Sequence, residues 1–163
     1  MKFRMLIAFL TITFLLAGCK KKNNNNATND KPPYMKALVS GKAFSGKFCQ
    51  SYFVDTTTLV VRGYDAVYNT PSSTGNPAPP IIEFRIHNFK IGKNEYAIGT
   101  GSPHEAFYYS ATETMKATDG FFTINYIDSV DWWFTGKFEF NFSNGTTITN
   151  GDYLCHSWFY RID

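Results

Sequence analysis

Cysteine, histidine, carboxylate and aromatic side chains are the groups in this sequence that could carry chemistry, and their spacing limits what that chemistry is. His87, His104 and His156 show none of the short spacings that put two ligands on one ion. Cys155 and His156 are adjacent, so on a strand they point to opposite faces and cannot share a metal without distortion. No Gly-x-Ser-x-Gly elbow presents a nucleophile, and Gly99-x-Gly101 lacks the following helix of a dinucleotide site. Glu83, Glu139, Asp128 and Asp131 are carboxylates that could pair, but on strands facing solvent such groups more often keep a sheet soluble. The residues therefore predict no catalytic set, no metal and no cofactor. Aromatics remain. Trp133 sits on the polar parity of its run, and His156, Trp158 and Tyr160 share one parity near the end. Rings beside polar groups can stack on sugars or grip a peptide, so these four residues are the candidate ligand surface. The blander expectation is that a loop such as Asn69 to Pro80 covers Trp133 as part of a second small core.

Cys19 differs in kind because of what precedes it. Lys2 and Arg4 make a positive start, Met5 to Ala17 is apolar apart from Thr11 and Thr13, and small residues close the run. Crossing a bilayer takes about 20 apolar residues, so this run reads as a signal-peptide core and not a span. Leu16-Ala17-Gly18-Cys19 resembles the lipobox of bacterial lipoproteins. The resemblance implies cleavage between Gly18 and Cys19, diacylglycerol on the Cys19 sulfur and an acyl chain on its new amino group. At about 0.8 kcal/mol per buried CH₂, such chains together are an effectively permanent anchor. The alternative is an ordinary secretory signal with an incidental cysteine.

With Cys19 lipidated, Cys49 and Cys155 remain as a pair. In an oxidising envelope an even pair suggests a disulfide; two buried thiols are the alternative. A bridge would close a loop of about 100 residues, worth about 4.7 kcal/mol in the chain-entropy model.

The chain reads as a signal peptide over 1–18, a lipidated cysteine and tether over 19–33, and one domain over 34–163. The tether, KKKNNNNATNDKPP from Lys20 to Pro33, holds no large apolar residue and cannot fold alone. As a coil it would hold the domain about 20 Å from the lipid. Six of the 16 basic residues and one of the 13 acidic residues precede Tyr34, which leaves 10 against 12 and a net charge of −2. That balance offers no bulk attraction for nucleic acid.

From Tyr34 onward, short alternating runs divided by Gly, Asn, Asp and Pro give an all-β signature. Met35 to Val39 and Ala43-Phe44 flank a tight turn at Ser40-Gly41. Further strands are expected at Lys47 to Val54, Thr57 to Tyr64, Ile81 to Asn88, Glu95 to Ile98 and Ala106 to Ser110. Asn69 to Pro80 holds four of the seven prolines and reads as a long loop. Asp119-Gly120 favours a hairpin turn before a strand from Phe121 to Ile127. The cleanest strand runs from Trp132 to Phe142, with Trp132, Phe134, Gly136, Phe138, Phe140 and Phe142 on the core parity. Gly151 marks a bulge or bend in a last strand that closes at Tyr160. Aromatics at 18% suit a wide core between packed sheets.

The order Gly92, Tyr96-Ala97-Ile98-Gly99, then Thr118 to Ile124, then Phe134 to Phe140, then Ile148 to Tyr153 resembles a group of small Bacteroidetes outer-membrane lipoproteins. Their β domain has no assigned function and no catalytic set. The resemblance implies a fold and an anchor, not a chemistry. Surface-exported lipoproteins of the Bacteroidetes often carry acidic residues just after the cysteine; this tail has none before Asp30, which points to the periplasmic side of the outer membrane.

The expected fold is an antiparallel β-sandwich of nine or ten strands, with a closed lipocalin-like barrel as alternative. The expected function is that of a non-catalytic module, membrane-held through Cys19, that binds a glycan, a peptide or a partner protein. A structural or accessory component of an outer-membrane assembly and a hydrolase with an unrecognised site are the alternatives.

Overall fold

The structure, a computed structural model, describes residues 31–64, 80–90, 92–128 and 133–157. Cys19, Trp158, Tyr160 and most of the Asn69 to Pro80 loop lie outside the described residues. The described residues form eleven strands: β1 (Tyr34–Val39), β2 (Lys42–Gly46), β3 (Phe48–Phe53), β4 (Leu59–Tyr64), β5 (Ile81–Ile86), β6 (Glu95–Gly99), β7 (Glu105–Tyr109), β8 (Thr114–Thr123), β9 (Tyr126–Asp128), β10 (Trp133–Phe142) and β11 (Thr147–Ser157). The turn at Ser40-Gly41 is as expected: both residues take positive φ, 46° and 78°, which fits a two-residue hairpin. Asp119-Gly120 is not a turn. β8 runs straight through it, and the turn before β8 lies at Ser110 to Glu113, where the Ser110 amide donates to the Glu113 carbonyl at 2.9 Å. Gly120 is needed for a different reason: with φ at 142°, a Cβ there would overlap the Glu139 carbonyl oxygen of β10.

Seven strands close a ring in the order β11-β3-β4-β5-β7-β8-β10 and back to β11. An odd ring cannot alternate direction all the way round, so one neighbouring pair must be parallel. That pair is β11 and β3, joined through His156↔Gln50 and Ser157↔Ser51; every other pair in the ring is antiparallel. Closure meets the barrel alternative, and strands on opposite sides face each other across one core as two packed layers would. β8 and β9 are one strand interrupted by a bulge. Asn125 donates its amide to the Thr135 carbonyl at 2.7 Å there, and a Cβ at Gly136 would overlap the Thr123 carbonyl.

β1 and β2 form a hairpin that leaves the ring. β1 pairs with β11 from Ile148 to Leu154, and Met35, Ala37 and Phe44 pack into the barrel core. Gly63 makes room for Met35, whose side chain fills the space that a Cβ would take. The bulge expected near Gly151 is present: pairing of β11 with both neighbours shifts register there, and Asn150 takes φ 53°.

The interior is packed with rings. Phe84 lies 4.1 Å from Phe122, 5.6 Å from Phe138 and 5.6 Å from Tyr153, centroid to centroid. β10 supplies Phe134, Phe138, Phe140 and Phe142 to this core while Lys137, Glu139 and Asn141 stay exposed, as its period of two requires. Each fully buried aromatic contributes about 1.5–3 kcal/mol of transfer free energy. Tyr153 is completely buried; its hydroxyl donates to the Thr123 carbonyl at 2.9 Å, and burial pushes the phenol well above its ordinary range.

The predicted disulfide is present. Cys49 on β3 and Cys155 on β11 are bonded, with Cα atoms 4.8 Å apart, and both are buried. They sit beside the short parallel ladder, so the covalent link lies where hydrogen bonding alone closes the ring over two residue pairs.

Candidate functional site

The side chains that point away from the barrel core build the candidate site. Cys49, Val61, Phe84 and Ala106 face the core, so the alternate residues on β3, β4, β5 and β7 face outward. Register lines them up in a row across the strands. Trp133 is opposite His156, His156 opposite Gln50, Gln50 opposite Arg62, Arg62 opposite Glu83, Glu83 opposite Phe107, and Phe107 opposite Lys116. Parallel rows add Phe48, Tyr64, Ile81 and Tyr109 on one side and Tyr52, Val60, Arg85 and Glu105 on the other.

Glu83 is the centre of this face and departs from its expected role. The sequence places it as a solvated strand carboxylate; the structure points it outward yet buries it completely. Arg62 donates from Nε to Oε2 at 2.6 Å and also pairs through Nη2; Arg85 donates from Nε to Oε1 at 2.7 Å. The Tyr109 hydroxyl lies 3.4 Å from Oε1. An unpaired buried carboxylate would be costly, and two guanidiniums offset that cost. The arginines in turn lie over rings: Arg62 is 5.9 Å from the Tyr52 centroid and Arg85 is 5.0 Å from that of Phe107. Burial works against the charge on Arg85, and the Glu83 carboxylate outweighs it, so the guanidinium is held above its usual range. Burial raises the Tyr52 and Tyr109 phenols.

The same face continues to a hydroxyl–imidazole–carboxylate line. Thr58 Oγ1 is 3.2 Å from His87 Nδ1, and His87 Nε2 is 3.7 Å from Glu105 Oε2. The residue types are those of a nucleophile, a base and an orienting acid. Accessibility argues against that role: Thr58 is 4% exposed and tied into the β3–β4 turn, where its amide donates to Asp55 Oδ1 at 2.6 Å. Glu105 is also committed to Lys116 Nζ at 2.6 Å, which holds its carboxyl below the usual range. His104 lies nearby, its ring 5.1 Å from that of Tyr96 in a T-shaped contact; burial lowers its pKa, and its buried Nδ1 has no hydrogen-bond partner among the described residues.

Of the sequence-predicted surface, the structure brings two members together. Trp133 is half-buried and packs its ring edge-on to His156 at 4.9 Å. Whether the proline-rich loop covers Trp133, and where Trp158 and Tyr160 sit, falls outside the described residues. Sequence reasoning missed Arg62, Tyr52, Phe107 and Tyr109. Arg62 and Arg85 carried a signal, since both fall on the polar parity of strand runs, but nothing local says that β4 and β5 pair across the long connection. Among the described residues no group of three or more His, Cys, Asp or Glu side chains is placed to hold a metal. No protein-family model matches the chain, and neither a curated protein nor a solved structure matches it.

Proposed function

We propose that this protein is an envelope lipoprotein, held at the outer membrane through lipid on Cys19, whose barrel is a non-catalytic binding module for a glycan, a peptide or a partner protein. The observation that carries this reading is the outward face of β3, β4, β5 and β7. Tyr52, Phe107 and Tyr109 are half-buried rings set among Gln50, Arg62 and Arg85 on a rigid, doubly paired part of the sheet. Rings with fixed polar groups between them suit recognition, and rigid strands place them more reproducibly than loops do. Among the described residues of this face, the hydroxyl placed beside an imidazole, that of Thr58, is buried, which favours binding over hydrolysis. The periplasmic side of the membrane remains the favoured location, from the tail composition.

The test uses the native lipidated protein recovered from membranes with its associated material. A specific glycan or protein should accompany the parent and be lost from Phe107→Ala. Cys19→Ser should leave the membrane fraction. Retention of the same material by Phe107→Ala would remove this face from the reading, and high-salt-resistant membrane association of Cys19→Ser would remove the anchor.

A further inference from the structure

We propose that the outward face of β4, β5 and β7 is a receptor for an acidic polysaccharide, with Arg85 taking the carboxylate of a uronate residue and Arg62 helping to hold Glu83 beneath it. This rests on the binding-module reading and names its ligand class.

Glu83 explains the arrangement. A buried ion pair adds little stability over well-packed apolar residues, so a fully buried carboxylate between two arginines calls for another role. Here it fixes guanidinium planes. Each arginine gives Nε to a different Glu83 oxygen, and each lies over a ring, Tyr52 or Phe107. A guanidinium has five N–H donors in a rigid fork that matches a carboxylate. Among the described residues Arg85 donates only from Nε, and its side chain is 40% exposed. The fork is thus oriented before a ligand arrives, which lowers the ordering cost of binding.

Charge selects the class. Three cations, Arg62, Arg85 and Lys116, stand against two carboxylates, Glu83 and Glu105, leaving one positive charge on the face of a domain that is otherwise net negative. One positive charge complements one carboxylate per sugar better than a doubly charged phosphate. On this face the row Arg62, Glu83, Phe107 and Lys116 crosses four neighbouring strands at about 4.8 Å per step, room for more than one sugar of a polymer. An acidic peptide is the competing occupant. It is disfavoured because β4, β5 and β7 are paired on both sides, so no free ladder groups are offered to a peptide backbone.

The full chain, held in mild detergent, is titrated against three probes: polygalacturonate, the same polymer fully methyl-esterified, and polyglutamate. Polygalacturonate should bind at least about tenfold more tightly than either control. Arg85→Gln should weaken it by about tenfold or more, and Arg85→Lys, which keeps the charge but not the fork, should fall between. Melting curves confirm that the variants fold. Should Arg85→Gln fail to fold, Lys116→Gln, on a 59% exposed side chain, and salt titration of the parent take its place. Affinity should then drop with Lys116→Gln and between about 0.05 and 0.5 M salt. Equal binding of the esterified polymer overturns the acidic class while leaving a glycan-binding module. Preferential binding of polyglutamate overturns the glycan class. Binding of none of the three overturns the proposal, and the co-isolation experiment then decides separately whether the domain is a binding module.

Discussion

Glu83→Gln tests whether the outward ion-pair cluster is a buried electrostatic unit or a solvent-screened decoration. The carboxylate is completely buried, and its partners differ in exposure: the Arg62 side chain is 21% exposed and that of Arg85 40%. Glutamine keeps the shape but offers one acceptor oxygen, and its amide group would point donors at a guanidinium donor. Arg85 can turn toward water, so its share of the loss should resemble that of a surface pair, below about 1 kcal/mol. Arg62 is largely enclosed and loses a charge-assisted bond with little solvent to replace it, about 1.5–3 kcal/mol. The substitution should therefore destabilise the domain by about 3 kcal/mol, near the lower end for breaking a buried pair. Urea unfolding with an unchanged m-value reads this directly. A double-mutant cycle should place most of the coupling on Arg62 and little on Arg85. The joint replacement Arg62→Met with Glu83→Leu should recover most of the loss, because matched apolar residues substitute for a buried pair at little cost. A loss below about 1 kcal/mol for Glu83→Gln, or coupling divided evenly between the arginines, would refute the burial argument.

The Cys49→Ala, Cys155→Ala double variant should lose about 3–4 kcal/mol, because the bridge closes a separation of 106 residues at the two-pair seam; denaturant titration measures it, and a loss under about 1 kcal/mol would mean the ladder closes the ring alone. Gly136→Ala forces a Cβ onto the Thr123 carbonyl and should cost about 1–3 kcal/mol or more, with thermal melting as the readout. The Thr57 amide, with Thr58, holds the Asp55 carboxyl down at about 2, below the value of about 3.9 for a free aspartate. Its contribution to stability is therefore complete above about pH 4 and lost as pH falls through about 2; the melting midpoint should decline across that window, and Asp55→Asn should remove that part of the decline.

The all-β class was legible because it depends on neighbours in sequence. β10 announces itself through Phe134, Phe138, Phe140 and Phe142 on one parity, and Ser40-Gly41 through a turn that needs positive φ. The Asp119-Gly120 turn failed for a tertiary reason. Glycine there relieves a clash with β10, and the same dipeptide that favours a hairpin locally is carried straight through β8 by pairing on both of its edges. Strand number came close, since eleven strands include β8 and β9, which a bulge divides.

Sequence alone also set the oxidative pairing as a choice between bonded and free thiols, with Cys49 and Cys155 the pair available once Cys19 is assigned to lipid. The tertiary structure decided it by bringing β3 alongside β11. It also decided that the ring closes, because an odd set of strands needs one parallel pair and no local signal marks the partners of a two-residue ladder. The same limit applies to the candidate site. Trp133 and His156 were singled out from parity, and register then placed them side by side. Arg62 and Glu83 lie on strands separated by a long connection, so their types are readable from sequence but their meeting is not. Whether a carboxylate is a solubilising surface charge or a buried hub depends on which side chains stand beside it across the ladder, and that is fixed only when β4 and β5 pair.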